Sequence, residues 1–150
     1  MKIKTEKPPP KQRDGRLPDP FAKPARIHRM RRHAASIFQS ALEAVQADAA
    51  VRRACCFKNG ILSIGSFVRN LRDIDNIIVI GAGKASAHMA AAVENLLDNN
   101  ISGGLISVKY GHTAPLNFID LAECGHPVPD ANGLRAAEDI LKMAGEAGKK

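Results

Sequence analysis

The feature that most constrains this chain is the run Ile77-Ile78-Val79-Ile80, followed at once by Gly81-Ala82-Gly83-Lys84-Ala85-Ser86. Every residue of the run is β-branched and none is polar. That reads as a strand covered on both faces, and such strands belong to parallel sheets flanked by helices. After the glycine loop, Ala85, Met89, Ala92, Val93, Leu96 and Leu97 recur at helical spacing, which predicts a helix over 84–97 with that side inward. Asn99, Asn100, Ser102, Gly103 and Gly104 end it, and Leu105-Ile106-Ser107-Val108 reads as the next strand. Strand, loop, helix and strand make a βαβ crossover, for which a right-handed path is expected. Leu121-Ala122-Glu123-Cys124 is the candidate third parallel strand. Asp130 or Asn132 is placed to cap a last helix with Leu134, Ala137, Ile140, Leu141 and Ala144 inward. The expected fold class is therefore α/β: the N-terminal part of a Rossmann-like, doubly wound parallel sheet. Such a sheet usually has about five or six strands, so this one is expected to be incomplete.

Upstream, Ile37, Phe38, Ala41, Leu42 and Val45 predict an amphipathic helix over 33–46. Asp48 is the expected N-cap of a short second helix carrying Val51, Ala54 and Cys55. Asn59-Gly60 is a turn signal before a short strand, Ile61 to Ile64. The first 32 residues differ in kind. They hold 11 Lys/Arg and 3 Asp/Glu, a balance of 11 − 3 = +8, whereas residues 33–150 hold 11 and 12, a balance of −1. Pro8, Pro9, Pro10, Pro18, Pro20 and Pro24 also lie there. The expected organisation is a disordered, basic, Pro-rich tail over 1–32, with order absent through residue 30, ahead of the α/β portion 33–150. Its prolines and sparse Leu and Ser argue against an amphipathic helix in the tail. Phe21 is its single aromatic residue, which argues against a nucleic-acid arm. No run approaches the roughly 18 apolar residues of a membrane span. The cysteines number 3, with no metal-ligand spacing, and read as reduced thiols of a cytoplasmic protein. No metal ligand is assigned.

The glycine loop carries the chemistry. Glycines between a strand and a helix let the backbone approach a ligand, and the first helical turn presents unpaired N–H groups. Lys84 adds a full positive charge and Ser86 a hydroxyl, so Gly81, Gly83, Lys84, Ala85 and Ser86 form a candidate site for phosphate or carboxylate. It is not a P-loop, because the glycine required five residues before Gly83 is Ile78. It fits the dinucleotide fingerprint at Gly81 and Gly83 but has Ser86 in the third position. The next strand runs into Lys109, where an acid would hold the ribose. Binding of NAD(H) or NADP(H) is accordingly not expected, although Lys109 would suit a phosphorylated nicotinamide cofactor. Sugar-phosphate isomerase loops of the Gly-x-Gly-x-Ser type are a rival reading. Ligands of open α/β sheets sit beyond the carboxyl ends of the strands, so Lys109, His112 and His126 are expected to converge with Lys84.

Taken together, Gly81 to Ser86, Val108-Lys109-Tyr110-Gly111-His112, and Gly125-His126-Pro127-Val128-Pro129-Asp130 with Asn132-Gly133 resemble the glycerate 2-kinase family. Ile37-Phe38, Ala41-Leu42 and Ala49 to Arg53 add to the likeness, which covers about residues 33–148. The resemblance implies ATP- and Mg2+-dependent phosphorylation of D-glycerate at its 2-hydroxyl, with the lysine matching Lys84 contacting the substrate or the transferred phosphate. Members have also been labelled hydroxypyruvate reductases, which keeps a NAD(P)-dependent reductase as the alternative, beside a non-enzymatic anion-binding fragment. Family enzymes are much longer and place the active site between two domains, so the chain is expected to be a truncated portion. The partners implied are glycerate and ATP, with no membrane or nucleic acid, and a homodimer is left open.

Overall fold

The computed structural model describes residues 23–148. Residues 1–22 of the expected tail lie outside that range. The chain divides into two compact units, Met1–Ser40 and Ala41–Lys150.

Helix α1 (Lys23–Ala44) begins ten residues before the predicted start. The expectation of disorder up to residue 30 is therefore corrected for 23–30. Pro24 falls in the first turn, where the N–H that proline lacks would have no helical partner. Ala, Arg and Met then sustain the helix. The apolar stripe has the predicted phase, but its members are exposed, Ile37 to 71% and Phe38 to 65%.

The first element lying wholly in the second unit is α2 (Ala47–Ala54), whose N-cap is Gln46. Asp48, the expected cap, lies in the first turn and accepts a 2.6 Å bond from Arg52. Cys55 belongs not to this helix but to β1 (Cys55–Lys58), which pairs antiparallel with β2 (Ile61–Ile64). Asn59 and Gly60 close that hairpin at φ 54° and 81°, the conformation of the tightest two-residue turns. A further hairpin joins β2 to β3 (Phe67–Asn70). The predicted strand 61–64 is thus the centre of a three-stranded meander.

A parallel sheet follows, in the order β4 (Ile78–Ala82), β5 (Gly103–Lys109), β6 (Asp120–Cys124). Between β4 and β5 runs α3 (Ser86–Leu97), and after β6 comes α4 (Ala131–Glu146). The β-branched run lies at an edge of this sheet among the described residues, with Ile80 exposed, so it is not covered on both faces as expected. The fully covered strand is β5. Its Gly104, Ile106 and Val108 are buried while the alternate residues are half-buried. Ile106 and Val108 join Ala87, Ala90 and Leu97 of α3 in the core.

Two helices differ in part from expectation. In α3 the expected Ala92 and Leu97 are buried and Val93 and Leu96 pack on the core, but Ala87, Ala90 and Glu94 are buried as well, while Ala85 and Met89 are exposed. In α4 the inward face carries Gly133, Ala136 and Ile140, with Leu134 and Leu141 left exposed. Gly133 faces Cys124, where an added Cβ would lie in ordinary contact, 3.5 Å from the Cys124 Cβ. The helix meets the sheet through its small residues, which permits close approach.

Glu94 is the buried charged residue of this core, 6% exposed. Its carboxylate accepts backbone N–H bonds from Asn117 (2.8 Å), Phe118 (2.8 Å) and Ile119 (2.9 Å). It thereby ties the segment entering β6 to α3. Bonds to a charged acceptor contribute about 1.5–3 kcal/mol each, and an orphaned buried amide is costly. Glu94→Ala is therefore expected to destabilise the fold by on the order of 3 kcal/mol, read as a shift of the urea midpoint, whereas Glu138→Ala on exposed α4 is expected to leave it within error.

Candidate functional site

The loop after β4 is held from below. The Gly83 N–H donates to the Ser107 carbonyl at 2.9 Å, continuing the ladder one residue past the strand. Gly83 then turns the chain at φ 118°, a conformation that side chains disfavour. The Ser86 N–H (3.1 Å) and the Ser86 hydroxyl both donate to the Gly83 carbonyl. The expected cradle of amides from Gly83 to Ser86 is thus narrower, since the donors of Gly83 and Ser86 serve the loop itself. The Lys84 and Ala85 N–H groups have no hydrogen-bond partner among the described residues, and they stand at the N-terminus of α3. Lys84 is exposed beside them. Two free amides, a helix N-terminus and an ammonium form an electrophilic rim suited to an anion.

This rim opens onto a cleft of about 320 Å³ at the carboxyl end of the parallel sheet. Gly83, Lys84, Ser107, Lys109, Cys124 and His126 are among its lining. The structure therefore brings together four of the candidates: Gly83, Lys84, Lys109 and His126. Gly81, Ala85, Ser86 and His112 do not line the cleft. A larger cavity of about 620 Å³ touches Leu62, Ile74 and Ile77 before β4. None of the motif residues reaches it, so the smaller cleft is the better candidate.

Cys124 is a lining residue that the sequence reading placed only in the candidate third strand. Its Sγ lies 3.2 Å from the Ser107 Oγ and also faces the Val108 carbonyl. With Ser107 it makes the floor of the cleft part polar, part thiol. All three cysteines are free.

The outer loops are tied to each other. The Tyr110 hydroxyl donates to Asp130 Oδ2 at 2.7 Å and accepts from Asn132 Nδ2 at 2.8 Å. Asp130 caps α4 by accepting the Gly133 N–H at 2.9 Å. Gly111 N–H donates to Glu123 at 2.6 Å. Across this brace the His126-Pro127 bond is cis, and a Cβ on Gly125 would lie 2.5 Å from the Val128 carbonyl. The turn that carries His126 is therefore closed against Gly125 and fastened at Asp130. The Gly133 amide, with the Tyr110 hydroxyl and the Gly125 amide, holds the Asp130 carboxyl below its usual range. The hydrogen bond to Asp130 pushes the Tyr110 phenol up. Tyr110 and Asn132 stand in the motifs read from the sequence, but their partnership spans 22 residues and has no local signal.

Known proteins meet this geometry. A profile described as a domain of unknown function, DUF4147, matches residues 33–150. The chain belongs to this family, that of the glycerate 2-kinases. An Agrobacterium vitis protein assigned provisionally as a hydroxypyruvate reductase is 46% identical over 64 residues, 43% of this chain and 15% of its own length. The D-glycerate 2-kinase of Thermotoga maritima is 35% identical over 72 residues, 47% of this chain and 17% of the relative. Among solved structures, a Pyrococcus horikoshii protein superposes with a TM-score of 0.69 at 27% identity, over 79% of this chain and 26% of that one. The matched part thus spans from about a sixth to a quarter of the length of these relatives.

The brace carries a pH signature. Because the folded-state pKa of Asp130 is depressed, its stabilising effect is present above the ordinary carboxylate range and is lost as pH falls through the folded value. Asp130→Asn is expected to be less stable than the parent at pH 7. The gap should close in acid, where both carry a neutral side chain. Urea midpoints at neutral pH and near pH 2 check this.

Proposed function

We propose that the cleft at Lys84 is the substrate face of a glycerate 2-kinase, which transfers a phosphoryl group from ATP to the 2-hydroxyl of D-glycerate and yields 2-phosphoglycerate. The observation that carries this reading is the rim itself: Lys84 beside two unpaired amides at a helix N-terminus, at the carboxyl ends of parallel strands. Family membership supports it, since relatives in Thermotoga and Pyrococcus bear that activity in their names.

Phosphoryl transfer asks for positioning and positive charge more than for covalent chemistry. Lys84, a compact cation, neutralises charge on the glycerate carboxylate or on the oxygens in transfer. The Lys84 and Ala85 amides hold one such oxygen, Lys109 adds a second cation, and His126 orients the acceptor from the mouth of the cleft. His112 and Ser86 support the loops. The residues present suit the anionic part of ATP. They do not suit Mg2+, which usually takes one or two carboxylates together with phosphate oxygens. No group of three metal-binding side chains occurs among the described residues, and Asp130 and Glu123 are already bonded to the loops. No step is therefore assigned to the metal, and the described residues provide one face of the reaction site. The reductase alternative is weaker, because Lys109 stands where a dinucleotide site places its ribose-binding acid. Free thiols suit a reducing, cytoplasmic setting.

D-Glycerate is expected to bind the 150-residue chain in saturation-transfer NMR and to be displaced by inorganic phosphate. Lys84→Ala should abolish the signal. In an ATP-coupled assay the chain alone should show no turnover, with a full-length relative as control. Glycerate binding that survives in Lys84→Ala, or turnover near the control, would place the reaction elsewhere.

A further inference from the structure

Helix α1 has no part in the chemistry of the cleft, and its surface has a composition of its own. Ile27, Met30, Ala34, Ile37 and Ala41 follow one another at steps of three and four residues, with Phe38 beside them, so they form one stripe along the helix. The large members are exposed: Ile27 to 49%, Met30 to 56%, Ile37 to 71% and Phe38 to 65%. Arg29 and Arg32 lie on the opposite face and Arg26 and Arg31 at its margins. None of the four makes an ion pair among the described residues. No Asp or Glu occurs from residue 20 through residue 42.

The boundary of the family match sharpens this. It begins at residue 33, so Arg26 to Arg32 precede the family domain. The helix nevertheless runs through residue 33 unbroken, and the stripe keeps its phase across it, with Ile27 and Met30 before and Ala34 and Ile37 after. An arginine-rich segment of arbitrary origin has no reason to continue an apolar stripe in register.

We propose that α1 is an interfacial helix that docks the protein on an anionic lipid bilayer, with its stripe in the boundary between headgroups and acyl chains and its arginines on the lipid phosphates. The helix does not cross the membrane, since no helix among the described residues is long and apolar enough to do so. A helix with a cationic face, an apolar face and no acid before Glu43 is suited to lie in the interface. Each basic residue near an anionic surface strengthens attachment, and the long side chains of arginine reach the headgroups while the stripe stays buried. Nucleic acid would satisfy the arginines but leave the stripe in water. A second copy would cover the stripe but bring the marginal Arg26 and Arg31 of both helices together with no acid beside them. The bilayer satisfies both faces at once.

The test uses the full chain and vesicles of phosphatidylcholine, with and without about a quarter phosphatidylglycerol. Co-sedimentation is expected with the anionic vesicles alone and is expected to fade in high salt. Replacing Arg26, Arg29, Arg31 and Arg32 by Gln should weaken partitioning by roughly fivefold per residue. Met30→Glu should abolish it with the helix content intact by circular dichroism. The chain has no Trp. Ile27→Trp therefore supplies a single fluorophore, and its emission should shift to the blue on anionic vesicles. Equal binding to neutral vesicles, no binding to either, or an unshifted Trp would overturn the proposal. So would a dimer that Met30→Glu splits, or selective capture of a nucleic-acid duplex or an acidic protein with vesicles ignored. Glycerate binding at Lys84 is read separately, so failure here leaves the cleft untouched.

Discussion

The Ser107 backbone is the point on which the cleft depends. Its carbonyl takes the Gly83 N–H at 2.9 Å and lies 3.4 Å from the Ser86 hydroxyl, while its own Oγ meets Cys124. One residue in the middle strand thus fixes the loop after β4 and the end of β6. Because the Gly83 amide is spent on that bond, the chain must leave the sheet immediately afterwards, and it does so at a positive φ. The departure sets the start of α3 and leaves the Lys84 and Ala85 amides without partners. The affinity for an anion that we propose is in this sense a consequence of how the strand is terminated.

Around that point the protein uses two fastenings of different character. Glu94 works from inside the core, where its carboxylate satisfies three consecutive backbone amides before β6. A buried charge is tolerable there because every oxygen has a donor. Tyr110, Asp130 and Asn132 work at the surface on the opposite end of β6, where solvent weakens each bond but the three are linked. The first positions the strand and the second positions the loop bearing His126.

Much of this was legible in the chain and some was not. The run 77–80, the glycine loop and the strand 103–109 are local patterns, and each appeared within a few residues of its predicted place. Asn59-Gly60 was readable as a turn because its chemistry is local, whereas β1 and β3 were missed because four-residue strands carry too little periodicity. The phase of α4 was misjudged for a physical reason. Leu134 and Leu141 outrank Gly133 and Ala136 in hydrophobicity, but the side of the helix that faces the sheet is the one carrying the small residues. Lys84, Lys109 and His126 followed from the rule that ligands meet the carboxyl ends of parallel strands. Cys124, Glu94 and the Tyr110–Asp130 pair did not, since each depends on residues 15 or more positions away. The helical character of 23–30 was hidden by the proline content of the tail, of which Pro24 is harmless in a first turn.

The central claim is that one anion is held by Lys84 and the two free amides next to it. Titration of inorganic phosphate into isotope-labelled protein, followed by amide resonances, tests it most directly. The Lys84 and Ala85 amides should shift in a saturable way and the Gly83 amide, bonded to Ser107, should shift less, with most of the response gone in Lys84→Ala. An undiminished response in that variant, or shifts centred on residues around Ile74 and Ile77 instead, would contradict the account.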